Sequence, residues 1–145
     1  MVGSGSTSVK ATLLLAVLTG CFWRSYGRVA ATHVDVLVGM ARKGVDLVAN
    51  GRFTAESMPE LTYPLERARA FAEDAHARAG DAAPESLAAF DLLVARYRTL
   101  LDTLDRVRRT STPDGAREAL EAPLAAVEEA GTAMRASLRR EGQLR

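Results

Sequence analysis

The sequence predicts an all-α fold, an antiparallel up-down-up-down four-helix bundle. Two observations carry this. Apolar residues recur at spacings of three and four through most of residues 25–141. The breaks between those stretches are short, at 80–83 and 110–112, and each is followed by a proline, so consecutive helices are expected to return alongside one another. A chain of 145 residues with 48% apolar residues suffices for one domain of this kind. Three helices with an irregular 51–64 segment form the alternative architecture.

The first helix is predicted at about 25–50. Its stripe is Val29, His33, Val36, Leu37, Met40, Gly44, Leu47 and Val48, and Asn50-Gly51 supplies the stop. Ser57-Met58-Pro59-Glu60 has the spacing of a capping box, but Pro64 would then sit inside the helix, where it costs ~3 kcal/mol. Thr62 as cap, with Pro64 in the first turn, resolves this and predicts a second helix at about 62–79. Its inner face is Leu65, Ala68, Ala72, Ala75 and Ala79, small enough for close approach of a neighbour. Pro84 opens the third helix. Leu87, Phe90, Val94, Tyr97, Leu101 and Leu104 form its stripe, which Leu93, Leu100 and Val107 widen to face more than one partner. Thr112 and Pro113 start the fourth helix, lined by Ala116, Leu120, Pro123, Leu124, Val127, Met134 and Leu138, with a kink expected at Pro123.

Nineteen basic residues balance eighteen acidic ones, for a formal charge of +1. All the basic residues but Lys10 and Lys43 are arginine. This balance argues against a nucleic-acid partner and against a polybasic membrane patch. One cysteine makes neither an internal disulfide nor a Cys-rich zinc site.

The N-terminus has a different character. Residues 1–10 are small and polar and end in Lys10, and the apolar run Ala11–Leu18 follows. That run is too short to span a bilayer, which takes ~20 helical residues, yet long enough for the core of a secretory signal. It leads into Leu18-Thr19-Gly20-Cys21, which resembles the lipobox of bacterial lipoproteins. The resemblance implies diacylglycerol on the Cys21 thiol, cleavage between Gly20 and Cys21, and acylation of the new amino group. It divides the chain into a signal peptide, 1–20, a lipidated tether, 21–28, and a bundle, 29–141. Phe22 follows the cysteine, where an Asp would be the common signal for retention at the inner membrane. The resemblance therefore implies an outer-membrane anchor facing the periplasm.

Two regions are candidates for contact with a membrane or a protein partner. Phe22, Trp23 and Tyr26 suit a membrane–water boundary, with Arg24 and Arg28 in reach of phosphates, or else cap the end of the bundle. Arg106, Arg108 and Arg109 form the densest positive spot. His33 and Met40, seven apart on one helix face, are the axial pair of some haem bundles and define an alternative function, a haem or metal carrier. Glu73-x-x-His76 has the spacing of a di-iron ligand pair, but no second such pair is present, since Ala30 precedes His33 by three. Nucleophile-elbow and phosphate-loop motifs are absent from 21–145. Most acids have basic helical neighbours, as in Asp74–Arg78, Asp102–Arg106 and Asp105–Arg109, the pattern of a solvated face. The expected function is a non-catalytic envelope lipoprotein without a cofactor, whose bundle docks a membrane-associated protein.

Overall fold

The computed structural model describes the backbone from Ser4 and the side chains from Gly20. Lys10, the side chains of the 11–18 apolar run and Thr19 therefore lie outside the described residues. Four helices are present: α1, Ser4–Ala49; α2, Ser57–Ala79; α3, Glu85–Thr110; and α4, Pro113–Arg140. A 3₁₀ turn, Gly80–Ala82, joins α2 to α3. Among the described residues no helix is long and apolar enough to cross a membrane.

Cross-helix contacts fix the topology. Arg42 meets Glu128 and Asp35 meets Arg135, so α1 and α4 run antiparallel. Lys43 near the C-terminal end of α1 meets Glu60, and Arg78 covers Phe22 farther back along α1, so α1 and α2 do too. Arg140 with Glu85 orients α4 against α3, and Tyr26 with Ser86 places the start of α3 beside α1. This is the up-down-up-down bundle. α1 and α3 touch across the short diagonal, whereas α2 and α4 do not meet.

The helix ends follow the local chemistry. Thr112 caps α4, its hydroxyl accepting from the Gly115 N–H with Pro113 in the first turn. α1 and α4 both end in a Schellman turn. Gly51 (φ 67°) and Gly142 (φ 72°) take the left-handed position. The N–H of Arg52 then reaches Leu47 O, and that of Gln143 reaches Leu138 O, both at 2.8 Å.

Three expectations need correction. α2 begins at Ser57, five residues before the predicted Thr62 cap, and carries Pro64 inside it. Pro64 has no N–H for the Glu60 carbonyl, and the next carbonyl, Leu61 O, takes a 2.6 Å hydrogen bond from the buried Tyr97 hydroxyl. Tertiary contacts thus support the turn that propensity disfavours. α1 begins at Ser4 rather than at about 25, while α4 carries Pro123 inside its span. On α1 the buried line is Tyr26, Ala30, Val34, Leu37, Ala41, Val45 and Val48, rotated from the predicted stripe. Val36 is 42% exposed, and Val29, Met40 and Leu47 are half-buried. Small Ala30 and Ala41 let the neighbouring helices close in, and the bulkier valines ride the flank. The α3 stripe is buried as predicted except for half-buried Val94.

Candidate functional site

The end of the bundle where residues 22–33 of α1 meet Phe71 of α2 and Phe90 of α3 gathers most of the aromatic residues. Phe22 meets Trp23 edge-on with centroids 5.0 Å apart, and Trp23 lies 4.9 Å from Tyr26. Phe71 of α2 stacks on Tyr26 at 5.8 Å and touches both Phe22 and the His33 ring. Phe90 of α3 closes the row, edge-on to Phe71 at 5.5 Å. The Arg78 guanidinium lies 4.7 Å above the Phe22 ring. Offset and edge-on pairs of this kind hold about 0.5–1.5 kcal/mol each beyond area burial. Phe71 escaped the sequence reading because it stands beside the alanine face of α2 rather than on it. The antiparallel return of α2 was the signal that sets it opposite residues 22–33.

Tyr26 is 1% exposed and is withdrawn from the surface candidates. Its Oη pairs with Ser86 Oγ at 2.8 Å, and burial raises its pKa despite that hydrogen bond. Phe22 and Trp23 are half-buried. The segment 21–28 is therefore no slack tether. It is the first part of the bundle, because the aromatic row gives it a core of its own. Cys21 is exposed and free, and among the described residues no side chain lies against Gly20.

The expected end of the bundle at 141 is also too early. Leu144 packs against the core, and Gln143 crosses α1 over Gly27. A Cβ on Gly27 would stand 2.5 Å from Gln143 Cβ. Glu141 accepts the Ser86 N–H at 2.8 Å, holding the first turn of α3 where a helix favours an anion.

His33 and Met40 lie on one flank of α1 as spaced. The His33 ring rests 5.0 Å from Phe71 and 6.0 Å from Phe90, so aromatic rings take the volume that a flat macrocycle would need. Met40, two turns further along α1, packs on the core. Among the described residues no group of three His, Cys, Asp or Glu is placed to hold a metal ion. His76 instead bridges α2 to α3, its Nε2 2.7 Å from Asp91 Oδ2.

Burial, and secondarily the charge of Arg67, lower the His33 pKa from its ordinary 6.5. The unfolded chain then binds the proton more readily. Stability is complete above that ordinary value and declines as pH falls from it toward the lower native value. Melting temperature is expected to fall between about pH 8 and pH 5, and to fall less in His33→Gln. Equal slopes for the two proteins in thermal melts would show that His33 is not a source of the decline.

Arg106, Arg108 and Arg109 are exposed, at the opposite end of the bundle from Phe22 and Trp23. Ser86 and Arg108 are 22 residues apart on one helix, which is roughly 33 Å of rise. The two candidate regions are therefore separate surfaces. Asp105 takes both Arg108 and Arg109, and the Arg108 hydrogen bond holds its carboxyl below the usual pKa. Arg108 also lies 5.1 Å over the Phe53 ring. It borders a cleft of about 240 Å³ lined by Val48, Phe53, Ser111, Pro113 and Ala116. Of the helical ion pairs expected from spacing, Asp74–Arg78 and Asp105–Arg109 form.

No protein-family model, no curated protein and no solved structure matches the chain.

Proposed function

We propose that the protein is a bacterial envelope lipoprotein, acylated at Cys21, whose bundle is a non-catalytic adaptor or scaffold for an envelope complex. The carrying observation is the order Lys10, apolar run, Leu18-Thr19-Gly20-Cys21, with that cysteine exposed one residue before the folded aromatic row. An acyl chain adds about 0.8 kcal/mol per buried CH₂, so two or more chains give a lasting anchor. Phe22 at the following position favours the outer membrane, with the bundle facing the periplasm. The adaptor reading rests on two separated surfaces. The aromatic end lies next to the anchor, and the Arg106–Arg109 end with its cleft points away from it.

Fatty-acid labelling in cells tests the anchor. The wild type is expected to take up label and to sediment with membranes, and Cys21→Ser is expected to do neither. Unlabelled wild-type protein overturns the reading. Cross-linking and affinity capture from solubilised membranes test the adaptor. A specific partner lost in both Cys21→Ser and Arg106→Glu/Arg109→Glu supports it. A capture empty of envelope proteins removes it.

A further inference from the structure

The outer face formed by α3 and α4 is lined by small residues and carries charges that complement their own image. Glu85 with Arg140 fixes the register of the two helices at one end, and the short turn from Thr110 to Pro113 fixes it at the other. That antiparallel register sets Arg96 level with Glu129 and Arg106 level with Glu118. All six residues are exposed, and only Glu85 and Arg140 pair within the chain. Arg96, Arg106, Glu118 and Glu129 enter no ion pair among the described residues. At three levels, then, α3 carries one acid and two bases where α4 carries one base and two acids. Between the first two levels runs a groove of about 410 Å³, walled by Ala88, Ala89, Leu92, Ala133 and Ala136. Leu92 stands at its middle, 46% exposed. Beyond it the exposed residues Ala95, Thr99, Ala122 and Ala125 are again small.

We propose that a second copy of this chain covers this face, related by a twofold axis parallel to the helices, so that α3 of each copy lies against α4 of the other. Glu85 then meets Arg140 of the second copy, Arg96 meets Glu129 and Arg106 meets Glu118, each contact occurring twice by symmetry. Small side chains let facing helices approach to the near end of the usual 8–10 Å range, and Leu92 enters the groove beside Ala133 and Ala136 of the second copy. Helices of 26 and 28 residues, ~39 Å long and together ~20 Å wide, offer about 800 Å², the area that each partner of a specific dimer buries. A twofold axis across the helices serves the charges less well. It pairs Glu85 with Arg96 and Arg140 with Glu129, but carries Arg106 and Glu118 past the ends of the second copy's helices. The axis along the helices also sets Cys21 of both copies at one end of the dimer. The arrangement therefore accords with acyl anchors in a single leaflet, without depending on them.

Sedimentation equilibrium of the full chain in a density-matched detergent tests the proposal. Alanine contacts and exposed ion pairs are individually weak, so the dissociation constant is expected on the order of 10 µM. The wild type passes from monomer to dimer between about 1 and 100 µM, and about 1 M salt weakens the association severalfold. In dilute solution the chain is monomeric, so substitutions on this face leave its melting temperature near that of the wild type. Leu92→Arg places a charge in the middle of the contact and abolishes the dimer. Arg96→Glu sets an acid against Glu129 of the second copy at two symmetric places and weakens association about tenfold or more. Arg96→Glu/Glu129→Arg is the deciding variant. With the axis along the helices it restores the opposite charges and the dimer. With the axis across them it opposes Glu85 to a second acid and Arg140 to a second base, and the loss deepens. A monomer at every concentration overturns the proposal. So does a dimer that survives Leu92→Arg and Arg96→Glu, and so does an exchange that fails to restore association.

Discussion

Phe90→Ala is expected to remove about 3–5 kcal/mol of stability and to lower the melting temperature by roughly 10–20 °C. Phe90 is fully buried, packs edge-on to Phe71, and closes the aromatic row beneath His33. Its loss leaves a cavity at the place where α1, α2 and α3 converge. Alanine-faced α2 cannot collapse into that cavity, because Ala68, Ala72 and Ala75 are already in close contact with their neighbours. Leu92→Ala, two positions away on the 46% exposed side of α3, is expected to cost under about 0.5 kcal/mol. Urea unfolding followed by circular dichroism reads both. A loss below about 1 kcal/mol in Phe90→Ala would remove the aromatic row from the centre of the fold's stability.

Gly27→Ala is expected to detach the C-terminal tail at a cost of about 1–3 kcal/mol. The added methyl meets Gln143 Cβ at 2.5 Å and the Gln143 carbonyl oxygen at 2.9 Å. A flexible side-chain tip could swing aside, but these atoms belong to the start of a side chain and to the backbone. α1 cannot retreat either, since Tyr26 is buried beside this position and bonded to Ser86. The tail must move, taking the packing of Leu144 with it and loosening Glu141 on α3. Amide exchange at Gln143, protected in the native chain by its bond to Leu138 O, is expected to accelerate while the α3 core amides stay slow. Unchanged exchange at Gln143 would mean that the crossing at Gly27 does not hold the tail.

Much of the architecture was legible because its signals are local and strong. Thr112-Pro113 and Asn50-Gly51 carry the chemistry of helix ends, and the leucines of α3 announce their own buried face. The phase of α1 was not legible. Its true inner line holds Ala30 and Ala41, which are weak in any hydrophobic count and decisive in close packing. The start of α2 misled for another reason. Pro64 is costly in an isolated helix, and only Tyr97, thirty-three residues later, supplies a partner for the carbonyl next to the one it leaves. At the candidate site, the exposed Cys21 and the arginines at 106–109 could be read from order and spacing. The crossing of Gln143 over Gly27 could not, because it depends on a helix register that only the folded bundle sets.

The corner position of α2 has a consequence for how the molecule opens. α2 touches α1 and α3 but not α4, and half of its buried residues are alanine, so few large apolar side chains hold it in place. α1, α3 and α4 each touch the other two and remain a closed triangle without it. The lowest partial unfolding event is then the release of residues 57–79 as a unit, with the triangle intact. Such a state bares the Phe71-facing sides of Phe22, Tyr26 and Phe90 together. The bundle thus carries two tiers of cooperativity, with its most aromatic surface hidden behind the less stable one.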